Sequence, residues 1–205
     1  MSTLTEFYTQ QKVTFIEGHS QWTKEETEKL DYFVRQLREK YDRQIYLMEI
    51  GFNGGHSTET MLSAAENTTM TSFDIGYHFY VKMGKQFING KFPKRHQLVL
   101  GDSRITVPAF AQHFNRKFDL IFIDGGHAYE IAKADILNCK ALAHEDTLLI
   151  IDDIVYDSTQ ETHYSVGPTR AWSEFKRSNF VQEEGYEFYG KGVGIAWGKY
   201  NFNQK

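Results

Sequence analysis

Six acidic residues stand where a sheet would present them to a ligand. Glu49, Asp74, Asp102, Asp124 and the pair Asp152-Asp153 each fall at or next to the C-terminal end of a run that reads as a β-strand. In a doubly wound α/β sheet those ends open on one crevice. Glu49 leads into a glycine-rich turn, Gly51-Phe-Asn-Gly-Gly-His-Ser57. Gly51, Gly54 and Gly55 let the chain turn tightly and bring backbone close to a ligand. The helix starting near Ser57 offers its N-terminal N–H groups to an anion such as a carboxylate. A turn of this kind also serves simply to join a strand to a helix. It is not Gly-x-Gly-x-x-Gly, because Asn53 takes the second glycine's place, which hinders the approach of a pyrophosphate. Glu49 would repel a phosphate but suits an ammonium. Asp74, ending the next strand, can accept from both hydroxyls of a ribose. A ligand with an amino-acid end, a ribose and an adenine fits this set.

His127 lies three residues after Asp124. A neutral imidazole is a suitable general base for a hydroxyl near neutral pH. The same residue could instead cap the helix beginning near Ala128, or bind a metal passively. The other histidines (His19, His56, His78, His96, His113, His144 and His163) have no comparable setting. Asp152-Asp153 could also be two acids solvating a strand end. Tyr129 is expected to pack beneath the site, and Trp197 to fill the sheet edge. Glu183-Glu184 reads as a solvated helix or loop end. Arg170 and Trp172 begin a helix, where capping, packing and substrate contact are equally open.

Strand–helix alternation must position these groups. Residues 24–40 form an amphipathic pattern with Leu30, Phe33, Val34 and Leu37 on one face, and Thr23 with Glu26 reads as its capping box. Gln44 to Ile50 is the first strand, followed by a helix burying Thr58, Met61, Leu62 and Ala65. Met70 to Ile75 and Gln97 to Leu100 are the next strands, separated by a helix over about residues 77–89. Pro108 is placed near the start of a short helix. Phe118 to Ile123 is the fourth strand. Ala128, Ala132, Ile136, Cys139 and Ala143 make one helical stripe, so Cys139 is read as core. Thr147 to Ile151 is the fifth strand. A helix near 168–180 precedes two strands, Tyr186 to Gly190 and Val193 to Tyr200, joined by Lys191-Gly192. Short crossovers imply a parallel sheet covered on both faces, with the hairpin at its edge. Residues 155–170 lack periodicity and follow a strand's C-terminal end, where a loop of this length is usually functional or mobile.

Composition bounds the rest. With 205 residues, 40% hydrophobic and 24% charged, the chain can bury a core without staples. Its single cysteine excludes a disulfide framework and a four-cysteine zinc site. A net charge of −4 without a basic stripe gives no support to nucleic-acid binding. No apolar run is long enough to span a membrane, and the first residues lack the apolar block of a signal peptide. The expected setting is cytoplasmic. Residues 1–41 are read as a helical appendage and 42–205 as one domain.

The motifs carry a resemblance. Glu49-Ile-Gly-Phe-Asn-Gly-Gly55 resembles motif I of class I S-adenosylmethionine-dependent methyltransferases. His56-Ser57-Thr58 is similar to the turn of the catechol and caffeoyl-CoA O-methyltransferase branch. Phe118-Asp-Leu-Ile-Phe-Ile-Asp-Gly-Gly-His127 and Leu148-Leu-Ile-Ile-Asp-Asp153 resemble that branch's fourth and fifth strands. They resemble still more the small bacterial enzymes related to macrolide-sugar O-methyltransferases. Gly190-Lys-Gly-Val-Gly-Ile-Ala-Trp-Gly198 is similar to the closing hairpin of that group. The likeness covers about residues 44–200.

It implies a Rossmann-like, mainly parallel seven-stranded sheet with a C-terminal antiparallel hairpin. It implies S-adenosylmethionine contacts from Glu49, Gly51, Asn53, Gly55, Ser57, Asp74, Asp102, Ser103 and Asp124. Glu49 would face the methionine ammonium, Asp74 the ribose, and Asp102 with Ser103 the adenine. Asp124, Asp152 and Asp153 would hold a divalent cation, and their oxygen donors favour Mg²⁺ or Ca²⁺. The catechol branch has Asn where this chain has Asp153, so the cation here would be more fully neutralised. His127 would be the catalytic base. The implied activity is methyl transfer to a hydroxyl of a small molecule, a sugar or a phenolic diol; a homo-oligomer is compatible with it. The rival readings are a nicotinamide-dependent oxidoreductase and a nucleoside-binding module without turnover.

Overall fold

A computed structural model describes residues 3–16, 23–190 and 192–203. His19 and the hairpin residue Lys191 lie outside them. The elements run α1 (Leu4–Gln10), α2 (Lys24–Lys40), β1 (Ile45–Ile50), α3 (His56–Ala64), β2 (Thr68–Asp74), α4 (Phe79–Lys91), β3 (His96–Leu100), α5 (Ser103–His113), β4 (Phe118–Ile123), α6 (Tyr129–Cys139), β5 (Ala143–Ile151), α7 (Val166–Arg177), β6 (Val181–Gly190) and β7 (Val193–Tyr200). Among the described residues, seven strands form one sheet in the order β3-β2-β1-β4-β5-β7-β6. β1 to β5 are parallel, and β7 runs antiparallel to both β5 and β6. Among those residues no helix is long and apolar enough to cross a membrane.

The period of two along each strand divides the core between two faces. Leu47, Leu120, Phe122, Ile150 and Ile195 point to the face covered by α1 to α4. Met48, Ile50, Ile121, Ile123 and Ile151 point to the face covered by α5 to α7. The N-terminal helices share the first of these cores: Leu4, Tyr8, Leu30, Phe33, Val34 and Leu37 are buried in it.

Five local expectations are corrected. Thr23 makes no side-chain cap to α2; Glu26 instead falls on the buried stripe, four residues before Leu30. A true capping box does occur at Thr3 and Glu6, where both reciprocal hydrogen bonds start α1. Pro108 lies inside α5 rather than at its start. The helix begins at Ser103, where the Asp102 carboxylate caps it by accepting from the Arg104 N–H. Ala143 is not on the helical stripe but opens β5, after α6 ends at Cys139. Trp197 is not at an edge, since β7 lies between β5 and β6; its ring covers Gly185, where an added Cβ would come within 2.2 Å. Glu183 and Glu184 belong to β6, which starts earlier than expected. Glu183 accepts from Trp172 Nε1 at 2.6 Å and Lys176 Nζ at 2.6 Å, so it ties α7 to the sheet edge.

Candidate functional site

Ladder hydrogen bonds carried past the strand ends set the acids at one level. Gly51 N–H donates to Phe73 O at 2.8 Å, Gly101 N–H to Asp74 O at 2.8 Å, Asp124 N–H to Ile50 O at 2.9 Å and Asp152 N–H to Ile123 O at 3.0 Å. The strand order reverses between β1 and β4, and the crevice opens there. Gly51 is required at this seam. Its φ is +98°, and a Cβ on it would lie 1.8 Å from the Asp124 carbonyl oxygen. Asn53, at φ 50°, is of a residue type that enters the left-handed region more readily than most.

A cleft of about 500 Å³ follows these ends. Gly51, Asn53, Asp74, Asp102, Ser103 and Asp124 line it, as does His127. Asp74 organises the turn: its Oδ2 accepts from Asn53 N–H at 2.8 Å and its Oδ1 from Gly76 N–H at 2.7 Å. Asp102 is paired with Arg104 at 2.5 Å, which holds its carboxyl below the usual range. Three expected residues, Glu49, Gly55 and Ser57, do not line the cleft. Glu49 is fully buried behind the turn. Its oxygens accept from Ser57 at 2.7 Å, from Ser72 at 2.7 Å and from Thr58. The Ser57 hydroxyl is thus turned inward to Glu49 rather than out to a ligand. Burial raises the Glu49 carboxyl, and the three hydroxyls oppose that rise. Gly55 caps α3 at φ +90°, with the Phe52 ring 2.8 Å from where a Cβ would stand.

The turn is also held from outside. The Tyr8 hydroxyl of α1 reaches Gly54 O at 2.9 Å and Tyr80 O at 3.0 Å. Gly84 of α4 closes the same contact, since a Cβ there would meet Gly54 O at 2.3 Å. Sequence reasoning passed over Tyr77 and His78, which line the cleft just past β2. Tyr77 is 85% exposed, an aromatic at a loop tip with no periodic pattern to mark it.

Beside the cleft, a smaller pocket is lined by Asp124, His127, Asp152 and Asp153. Asp124, Gly125, Gly126 and His127 belong to both. Asp153 adopts φ 60° just after β5. His127 Nε2 lies 3.1 Å from Asp153 Oδ2. Ligand atoms of Asp124, His127 and Asp153 all fall within 4.8 Å of one another, a separation that could hold a metal ion. Asp152 stands next to them with its Oδ1 buried and without a hydrogen-bond partner. Burial raises all three carboxyls above their usual range, and the neighbouring acids raise Asp124 and Asp153 further. Ala128, not His127, is the N-cap of α6. Tyr129 turns away to Glu174 and Lys133 and carries the Arg170 guanidinium 4.1 Å above its ring. Trp172 is fully buried in the core.

A glycine turn at the switch point of a 3-2-1-4-5-7-6 sheet with an antiparallel seventh strand defines the class I methyltransferase fold. Residues 48–154, more than half the chain, match the family described as methyltransferase domain, and the chain belongs to that family. Solved structures share the whole fold. A provisional O-methyltransferase from Klebsiella pneumoniae is 17% identical with a TM-score of 0.76, over 97% of this chain and 89% of that one. An O-methyltransferase from Bacillus cereus, in complex with S-adenosylhomocysteine, is 15% identical with a TM-score of 0.72, over 97% and 89%. TomG from Streptomyces achromogenes, an O-methyltransferase of tomaymycin synthesis in complex with S-adenosylmethionine, is 14% identical with a TM-score of 0.70, over 97% and 87%. No curated protein matches the sequence.

Proposed function

We propose that this methyltransferase moves the methyl group of S-adenosylmethionine to a hydroxyl of a small molecule, a sugar or a phenolic diol, with the help of a divalent cation. One observation carries the reading: the cleft beside the glycine turn and the acid–imidazole pocket meet along Asp124, Gly125, Gly126 and His127, which line both. The pocket has room for about one water or ion, at about 10 Å³, so a donor in the cleft and an acceptor hydroxyl at the pocket's mouth would meet there, as in-line transfer requires. Asp74 is placed to accept from the ribose hydroxyls, and Asp102 with Ser103 borders the adenine end. Glu49 supports the turn from behind rather than reaching the ligand directly.

The donor set fits a hard cation, with carboxylate oxygens from Asp124 and Asp153 and the unpartnered Asp152 Oδ1 beside them. When bound, such an ion would orient the acceptor and lower its hydroxyl pKa. His127, its side chain about half exposed, would take the proton. A second reading has its own observation: the imidazole lies within ligand distance of both carboxylates, so His127 would instead complete the ion's donor set.

Calorimetry with S-adenosylhomocysteine and with NAD separates the reading from its oxidoreductase rival. Binding of the first and not the second is expected, and the reverse would overturn the assignment. Transfer of an isotopically labelled methyl group to any member of a panel of sugars and diols separates it from a binding module.

A further inference from the structure

The hydrogen bonds that hold Glu49 continue past its own neighbours and end on a cation. Ser72 of β2 is the register partner of Glu49, and both are fully buried. Ser72 Oγ lies 2.7 Å from Glu49 Oε1 on one side and 2.8 Å from His96 Nε2 on the other. His96 opens β3, and its ring stacks on Phe52 of the glycine turn with centroids 5.0 Å apart. Its Nδ1 lies 3.2 Å from Lys85 Nζ of α4, which also donates to the His96 carbonyl oxygen at 2.9 Å.

Each proton in this chain has one direction. An ammonium has donors and no acceptor, so His96 Nδ1 must be bare. Burial first, and then the Lys85 charge, push the imidazole down to about 3, so it is neutral and its one proton stands on Nε2. That N–H donates to Ser72 Oγ, which leaves the single hydroxyl proton of Ser72 for Glu49. Were Nδ1 protonated instead, Nε2 would draw the hydroxyl proton to itself and Glu49 would lose a donor. Burial raises the Glu49 carboxyl and Asp74 adds to the rise; of the three hydroxyls that oppose it, Ser72 acts most strongly. Ile50 and Gly51, which follow Glu49 directly, line the cleft. An ionised carboxylate held dry behind that wall acts on a charge in the cleft with little screening.

We propose that Lys85 is a positioning residue for the cofactor: acting through His96 and Ser72, it aims a third hydroxyl proton at Glu49, whose charge behind the turn selects a ligand bearing an ammonium. The proposal rests on the methyltransferase reading and concerns the amino-acid end of its cofactor. Lys85 itself touches no ligand.

The test joins spectroscopy to calorimetry. Nitrogen-15 NMR, with the His96 signal assigned by its loss in His96→Gln, should show Nε2 protonated and Nδ1 bare in the wild-type protein. Lys85→Met should move His96 towards the other tautomer. Calorimetry then compares S-adenosylhomocysteine with its deamino analogue, 5′-deoxy-5′-(3-carboxypropylthio)adenosine, which differs by the ammonium alone. The wild-type protein should prefer the first by about tenfold or more. Lys85→Met and Ser72→Ala should each cut that preference to about threefold or less, with the analogue's own affinity held within about twofold. The double variant should lose no more than either single one, because the two residues act in series. A wild-type His96 with its proton on Nδ1 overturns the proposal even if the variants fail to fold. So does a preference that survives both substitutions, or an equal loss of both ligands, which marks a merely structural part. Equal binding of both ligands by the wild-type protein removes this proposal and leaves the methyltransferase reading standing; failure to bind S-adenosylhomocysteine at all removes both.

Discussion

Asp135→Asn should stabilise the protein above neutral pH and cost it about 1–2 kcal/mol in acid. Asp135 lies on α6, 1% exposed, under Gly125, where an added Cβ would stand 3.2 Å from Asp135 Oδ2. Neither carboxylate oxygen has a hydrogen-bond partner of good geometry. Burial pushes its carboxyl up to about 7 from an ordinary 3.8; Asp102 adds to the rise, while Ser103 and Arg104 oppose it. The folded protein thus keeps a proton that the unfolded chain releases. Stability from this group is intact below the unfolded value and is lost as pH rises through the folded one. About three units at 1.36 kcal/mol each gives roughly 4 kcal/mol as an upper bound at pH 8. The asparagine amide would still be buried without partners, which takes back about 1–2 kcal/mol. A net gain of about 2–3 kcal/mol corresponds to roughly 4–12 °C in Tm for a chain of this size. Thermal melts of both proteins from pH 4 to 8.5, read as a difference, cancel the titration of groups they share. An offset that is the same at pH 5 and pH 8, or a variant less stable at pH 8, would refute the reasoning.

Asp74→Ala should weaken S-adenosylhomocysteine binding by about tenfold or more, since it removes a charged acceptor and the anchor of two turn N–H groups; unchanged calorimetric affinity would take Asp74 out of the site. Titration with Mg²⁺ or Ca²⁺ should show one site that Asp152→Asn weakens, and EDTA should slow turnover without releasing the cofactor. Full-rate methylation in a chelated sample would end the metal's role. His127→Asn should slow methyl transfer by about 10²–10⁴ with little change in cofactor affinity. Stopped-flow measurement at saturating ligands decides this, and a loss under threefold would retire His127 as the base.

The strand-end acids were legible because each strand is a short apolar run whose last residue turns abruptly polar. That pattern survives in Asp74, Asp124 and Asp152, held level by the extended ladders. The two-faced core was legible for the same reason, as Leu47 and Met48 take opposite sides. Depth was not legible. Glu49 and Asp74 look alike in a linear reading, yet three hydroxyls enclose one and the other lines the cleft. Glu26 shows why a local motif can mislead. Spacing made it a capping partner of Thr23, but the helix phase shared with Leu30 and Phe33 turns it inward. The real box, Thr3 with Glu6, starts a helix of seven residues with too few apolar positions to show a stripe.

The Tyr8 contact bears on how the chain is made. Its two carbonyl partners, Gly54 and Tyr80, lie 46 and 72 residues further along. A seven-residue helix has little stability alone. At about 5–20 residues per second, α1 emerges from the ribosome roughly 4–14 s before α4 can receive it. The glycine turn is braced only once that early helix finds its late partners. Bracing of the glycine turn therefore waits until α4 has been made, and a chaperone holding α1 would delay it without touching the turn itself.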